Sequence, residues 1–448
     1  MNTQARVPVS TATTRRCTAR TLALTLGALA APGLAVAGGI SLYEVGTADV
    51  GLASAGYGAR AQDASTVLTN PAGMTRLPGN QFLGGAQVLY GNVSFSRSGD
   101  TSPELGSDDG GHPIGSGGWF PGGGGFLSYT VSPDVKVGLG ITGNFGLALN
   151  YNDDWVGRYY VRQGSIIGLS FLPSIAWKAT DKLSVGASVN AMYGYLKDVV
   201  AINNIAPGFG DGQLKLKDET WGWGGNVGLL YEFTPTTRVG LVWNSQVNLD
   251  FSAPPEFTNL APGITAALRR AGLLESTIKI GIKVPQGVMG SLYTQVDDRW
   301  ALLAGVGWQQ WSRFGDAQIG IEDTSNPQSV TTAIPFKDTW HVAGGAQYRM
   351  DGPWLLNFGV AYDSGFQENS DHVSPMLPAN SQWRFGAGMQ QDLGKGQYWG
   401  FAAEYAYGGT LRTNEQGRPV ALGGRGNLVG SYDQTAILFL SAYYNWAF

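Results

Sequence analysis

The chain has 448 residues, of which only 14% are charged, against about 25% in ordinary soluble domains, and it carries 67 glycines with 14 Trp, 19 Tyr and 18 Phe. Those figures argue against a string of soluble domains, and a net charge of -4 disfavours nucleic acid as a partner. Beyond the N-terminal region, no stretch approaches the roughly 18 uncharged apolar residues of a membrane helix, so a membrane location requires strands.

The first predicted element is an export signal over residues 1–37. Arg15, Arg16 and Arg20 form a basic flank, residues 21–36 are apolar, and Ala35-Val36-Ala37 is a small-x-small cleavage site that makes Gly38 the mature N-terminus. Cys17-Thr18 does not extend the Arg15-Arg16 pair into a twin-arginine motif. Cys17 is the sole cysteine and leaves with the signal, which excludes disulfides, thiolate metal sites and cysteine nucleophiles from the mature protein. Mature protein retains 25 basic residues against 33 acidic, a net charge of -8.

Residues 38–80 lack sustained alternation and are rich in Gly, Ala and turn signals, ending in Asn70-Pro71-Ala72. They are expected to form a compact plug. From residue 81 to 448 the pattern changes to period two, in which successive side chains point to opposite faces. Leu183, Val185, Ala187, Val189, Ala191 and Tyr193 face one way, against Ser184, Gly186, Ser188 and Asn190. The same alternation recurs at Trp300, Leu302, Ala304, Val306 and Trp308, and again at Trp354, Leu356, Phe358, Val360 and Tyr362. Residues 436–448 close the chain with Leu438, Leu440, Ala442, Tyr444, Trp446 and Phe448 on one face. An apolar outer face, a mixed inner face and an aromatic belt are what a transmembrane β-barrel requires.

Six connections are short: Ser132-Pro133-Asp134, Thr180-Asp181-Lys182, residues 234–237, Asp297-Asp298, residues 350–353 and Gly394-Lys395-Gly396. Longer polar or Gly/Pro-rich stretches fall around 96–120, 150–164, 199–217, 251–277, 319–335, 366–380 and 412–430. Six turns and seven loops join about fourteen strands, with the periplasmic and extracellular asymmetry of an outer-membrane barrel. The fold class is therefore all-β, a transmembrane antiparallel barrel with a small N-terminal plug in its lumen. Within the loop at 251–277, residues 264–274 have the pattern of a short amphipathic helix carrying Arg269 and Arg270.

Ordered motifs then connect the chain to a family. Residues 51–56 (Gly-Leu-Ala-Ser-Ala-Gly), Asp63-Ala64-Ser65-Thr66 and Asn70-Pro71-Ala72-Gly73-Met74 come first. Phe145-Gly146-Leu147, Trp155-Val156-Gly157-Arg158-Tyr159, and Asp338-Thr339-Trp340 with Ala361-Tyr362-Asp363 follow. Together they resemble the FadL family of outer-membrane transporters for long-chain fatty acids and other hydrophobic compounds. The resemblance implies passive uptake of a hydrophobic small molecule through a surface groove, an internal pocket gated by a hatch, and a sideways exit through the barrel wall. It also implies that the exit lies at a kink in the third strand, facing the Asn-Pro-Ala segment. Here the third strand, residues 136–150, contains Gly138, Gly140, Gly143 and Gly146, and interior glycines mark bends and bulges. Gly143, Phe145 and Gly146 are thus the expected kink, with Asn70, Pro71 and Ala72 beside it. The family's pocket-lining N-terminus corresponds to Gly38, Gly39, Ile40, Ser41 and Leu42. Arg158 is a candidate carboxylate partner because guanidinium forms forked bonds to carboxylates, and the competing reading is a structural ion pair with Asp153 or Asp154.

Other signals carry less. Residues 138–143 match a dinucleotide fingerprint without the strand-to-helix context that motif needs. His112, His341 and His372 are the only histidines and have no metal-ligand spacing, so no enzyme, metal or cofactor is expected. The alternatives to fatty-acid uptake are a channel for aromatic or aliphatic hydrocarbons, a general porin and an adhesin-type barrel. Expected partners are outer-membrane lipid, lipopolysaccharide and, through the strand ending at Phe448, the barrel-assembly machinery. The expected location is the outer membrane of a Gram-negative bacterium, as a monomer.

Overall fold

The computed structural model describes residues 41–448 except 44, 207, 315, 323–327 and 334–335, with the backbone alone described at 316–318 and 328–333. The export signal, Gly38 and Ile40 lie outside the described residues. In chain order the first strands are β1 (Gln81–Asn92), β2 (Phe95–Arg97), β3 (Trp119–Ser132), β4 (Val135–Asn150), β5 (Gln163–Lys178), β6 (Leu183–Ile202) and β7 (Gly212–Thr234). Next come β8 (Thr237–Asn244), β9 (Val247–Ala253), β10 (Glu256–Thr258), β11 (Thr277–Val284), β12 (Gly287–Gln295) and β13 (Trp300–Gln309). The last are β14 (Asp316–Glu322), β15 (Gln328–Ala333), β16 (Thr339–Arg349), β17 (Trp354–Asp363), β18 (Gln382–Gly394), β19 (Gln397–Glu415) and β20 (Leu428–Ala447).

Fourteen of these strands form one closed antiparallel barrel in the order β1-β3-β4-β5-β6-β7-β8-β12-β13-β16-β17-β18-β19-β20, with β20 returning to β1. The closing ladder runs from Gln81 opposite Ala447 to Asn92 opposite Ala436. Each of the six expected short turns joins consecutive barrel strands. The wall alternates as the sequence does: Leu241, Trp300, Leu302, Phe358, Phe401, Leu440, Tyr444 and Trp446 are exposed to the outside. Ser188, Asn190, Asn226, Arg238, Gln347, Asn357 and Arg384 are buried on the inside. Outward apolar atoms meet hydrocarbon, and every wall N–H and C=O needs a ladder partner because the bilayer offers none.

One finding differs from the sequence reading. The stretches 251–277 and 319–335 are more than loops: β9, β11, β14 and β15 build a second, four-stranded sheet in the order β15-β14-β11-β9. Its period-two apolar positions, Val247, Leu249 and Phe251 on β9 and Ile278, Ile280 and Ile282 on β11, are buried. The amphipathic helix is present as α2 (Pro262–Arg270), with Leu268 buried and Arg269 and Arg270 exposed. The short α1 (Thr66–Thr69) lies earlier in the chain.

Residues 45–77 touch all fourteen barrel strands, which only a segment inside the ring can do. Contact is close because the facing wall positions are glycine. A Cβ on Gly85 would stand 1.7 Å from the Gly46 carbonyl oxygen, and one on Gly359 or Gly240 would stand 1.9 Å from the carbonyl of Leu52 or Gly58. Glycine abundance, read from sequence as turns and bends, therefore also has a packing cause on the inner wall.

Candidate functional site

β4 pairs on both sides only over its first half. With β3 its last rung joins Thr142 to Gly124. With β5 the register jumps from Thr142 opposite Ser170 to Phe145 opposite Gly168, so Gly143 and Asn144 bulge out of the ladder. Gly146, at φ 153°, occupies a backbone region that side chains disfavour, and a Cβ there would press 2.7 Å from the Ile166 carbonyl oxygen. Beyond the bulge, the only barrel strand that residues 145–150 pair with among the described residues is β5, and the only one that residues 119–123 of β3 pair with is β1. The wall is unzipped between them. Its lip on β3 is Pro121, Gly122 and Gly123, and Gly124 and Gly125 follow as the first residues paired with β4. Proline has no N–H to offer a neighbour, and glycine leaves the backbone bare.

Three contacts bound the unzipped stretch. Below, the Thr142 hydroxyl donates to the Gly123 carbonyl at 3.2 Å. Above, residues 113–115 lie along the upper end of β4, with the Gly115 N–H donating to the Ala148 carbonyl at 2.7 Å. From within, the N-terminal lead reaches the bulge: the Leu42 N–H donates to the Asn144 carbonyl at 2.9 Å and Ser41 bridges to Phe145. The Asn144 side-chain oxygen is buried and finds no hydrogen-bond donor.

Phe145 packs into a buried apolar cluster. Ile166, Met192, Leu196, Val200, Leu249, Phe251 and Ile280 belong to the same buried cluster. Aromatic rings continue it, with Phe314 6.4 Å from Phe145, Trp311 5.2 Å from Phe314, and Phe366 5.2 Å from Phe336. Ile202 belongs to this cluster and Ile264 packs against it. Both also line an open cavity of about 420 Å³ between α2, residues 201–205 and residues 415–425. Ala267, Leu268, Ile205 and Leu422 supply the rest of its apolar surface, and Arg418 and Arg425 stand on its wall. Arg425 lies 5.5 Å over the Tyr160 ring and has no carboxylate within ion-pair distance among the described residues. Burial lowers the Arg425 pKa from its ordinary value while Tyr160, Glu415 and Asp198 hold it up, and guanidinium remains a cation throughout. The Tyr160 hydroxyl, pushed up to about 12 by burial and by Glu415, stays neutral.

A family model described as outer membrane protein transport protein (OMPP1/FadL/TodX) matches residues 28–448. The chain belongs to that family. It is 26% identical over 420 residues to the long-chain fatty acid transport protein of Escherichia coli K12, covering 84% of this chain and 89% of that protein. Outer membrane protein P1 of Haemophilus influenzae is 28% identical over 377 residues, covering 75% of this chain and 79% of its own. A Pseudomonas aeruginosa FadL homologue of known structure superposes with a TM-score of 0.77 at 20% identity, covering 91% of this chain and 99% of that one. The Pseudomonas putida toluene transporter TodX gives 0.65 at 18% identity, covering 89% and 99%. At these identities the two structures establish the shared fold. As a FadL-family barrel the chain resides in the outer membrane of a Gram-negative bacterium, in a family of transport proteins and not of enzymes.

Several residues expected at the family's pathway lie elsewhere. Gly143, Phe145 and Gly146 do sit together at the bulge, joined by Leu42. Asn70, Pro71 and Ala72 do not. The Asn70 amide donates to the carbonyls of Gly58 at 2.7 Å and Leu229 at 3.0 Å, and Pro71 and Ala72 lie against Gly186. They face β6 and β7, two and three strands from β4, because Gly186 and Gly228 are where the wall admits a backbone. Arg158 pairs with Asp211 at 2.7 Å, not with Asp153 or Asp154. Its remaining donors go to the Leu105 carbonyl at 2.7 Å, the Trp155 carbonyl at 3.3 Å and the Tyr159 hydroxyl at 3.5 Å. Asp153 instead pairs with Arg162. Sequence reading missed Arg425 and the β3 lip. The run Pro121-Gly122-Gly123-Gly124-Gly125 was a usable signal, since proline followed by four glycines cannot make an ordinary central strand.

Proposed function

We propose that this protein takes up long-chain fatty acids or similar hydrophobic molecules passively, from the cavity between α2 and residues 415–425, through the apolar chamber, to the unzipped β3–β4 seam. The observation that carries this is continuity: Ile202 and Ile264 join the cavity to the chamber, and Phe145 joins the chamber to the seam. Burial of apolar surface is worth about 25 cal/mol per Å², so a long tail gains at every step without energy coupling. Residues 38–80 act as the hatch that blocks the straight route to the periplasm, and the lead at Leu42 closes the seam from inside. A hatch that fills the lumen argues against a general porin, whose lumen stays open. The four relatives' names span fatty acids and toluene. Arg425 and Arg418 favour a carboxylated ligand at the entrance. The second reading, hydrocarbon uptake, draws on the chamber itself, whose buried cluster is aliphatic and aromatic.

Joining the two lips tests the route. The mature chain has no thiol, so Gly122→Cys with Asn144→Cys can be bridged by oxidation or by a short bis-thiol reagent. Vesicles carrying the bridged protein are expected to lose oleate uptake at least tenfold and to regain it on reduction. Full uptake through the bridged seam would refute lateral exit.

A further inference from the structure

We propose that the outer face of β5, β6 and β7 holds a phosphate-binding site for lipopolysaccharide, built on Lys197, Lys215 and Lys217. The strand register places Lys197 directly opposite Lys217, and Val199 opposite Lys215. Like charges set across a ladder destabilise a sheet, so this pairing implies an anion that offsets the repulsion. Lys215 reaches Glu256 at 2.8 Å and Lys217 reaches Glu219 at 3.8 Å. Lys197, directly opposite Lys217, has no ion pair among the described residues. Arg162, at the neighbouring end of β5, pairs with the exposed Asp153 and donates to Gln213 at 3.0 Å. Four cations thus meet three acids on a protein that is otherwise acidic.

Height on the barrel selects the anion. One and two rungs toward the periplasmic turns stand Tyr195 opposite Glu219 and Tyr193 opposite Trp221, then Ala191 opposite Trp223. The rings of Tyr193 and Phe171 lie 5.4 and 5.6 Å from that of Trp221. Such aromatic clusters mark the membrane–water interface. At about 3.3 Å per residue, Lys197 and Lys217 stand about 13 Å along the strand beyond the ring row and Lys215 about 20 Å, which on tilted strands is the head-group level of the outer leaflet. There the available anions are the phosphates of lipopolysaccharide, whose acyl chains would lie against Trp221, Trp223 and Phe171. Lys217 already leans over the Tyr195 ring at 5.5 Å, facing this row.

The test uses the full mature barrel in detergent, with bisphosphorylated lipid A as the probe and retention read by native mass spectrometry. Wild type is expected to retain one lipid A more tightly than the dephosphorylated form, and Lys197→Gln with Lys217→Gln to weaken retention about tenfold. Lys197→Arg with Lys217→Arg is expected to keep it. Heat-modifiable gel mobility and binding of a neutral hydrophobic ligand monitor folding, because neither depends on these outward side chains. Equal retention of dephosphorylated lipid A, equal retention by the glutamine variant, or equal displacement by phosphatidylglycerol would each overturn the site.

Discussion

Arg60 is buried between two carboxylates inside the barrel. Its guanidinium contacts Asp49 at 3.0 Å, Asp63 at 2.6 Å and the Ser65 hydroxyl at 2.9 Å, and the Tyr398 hydroxyl of β19 donates to Asp63 at 2.8 Å. Removing the cation leaves two desolvated anions side by side. Arg60→Leu is expected to cost about 3–5 kcal/mol in urea-induced unfolding, and adding Asp63→Asn to recover part of that loss. Recovery would separate a charge effect from a packing effect. Arg425 is the contrasting case, a cation facing an open apolar cavity. Arg425→Ala is expected to weaken oleate binding about tenfold, the scale of one charge-assisted hydrogen bond, and to leave toluene binding unchanged. Equal loss for both ligands would remove its head-group role. Nothing in the local sequence distinguishes these arginines from Arg158, whose partner lies at Asp211, 53 positions away. Ion pairing of this kind is set by loop folding, and single-sequence patterns do not carry it.

At the level of strands, the wall was legible and the interior only partly so. One exposed face in lipid forces strict alternation, so the turns between barrel strands stand out. The β9–β11–β14–β15 sheet escaped because its period-two pattern has the same form whether the apolar side meets lipid or another layer. Gly143 and Gly146 were legible as a kink because bulges need glycine, yet the packing role of the inner-wall glycines was not, since it depends on what lies across the lumen. The two roles predict opposite outcomes. Gly359→Ala would force a Cβ against the Leu52 backbone at 1.9–2.0 Å, whereas among the described residues nothing lies within 4 Å of a Cβ on Gly143. Gly359→Ala is expected to lower the thermal transition by several degrees and Gly143→Ala to leave it within about one degree, read by circular dichroism; this follows the ordinary cost of overpacking, about 1–3 kcal/mol.

Taken whole, fourteen strands close into a ring whose β3–β4 ladder stops at Thr142 opposite Gly124, and the inner segment touches every strand around it. The fourteen strands followed from turns and alternation alone, while the placement of Asn70-Pro71-Ala72 against β6 and β7 required coordinates. That separation puts the inner segment's Asn70-Pro71-Ala72 anchor and the seam on different parts of the wall, with Ser41 and Leu42 reaching the seam. The seam has a further meaning for anyone who would improve this protein. Exposed strand edges normally attract a partner, and proline and bare glycine make the β3 lip a poor one. Replacing residues 121–123 with β-formers would invite β4 to zip up, adding ladder hydrogen bonds and closing the proposed exit. Selection for heat resistance alone would then drift toward a sealed barrel, sturdier than its ancestor and without the proposed way out.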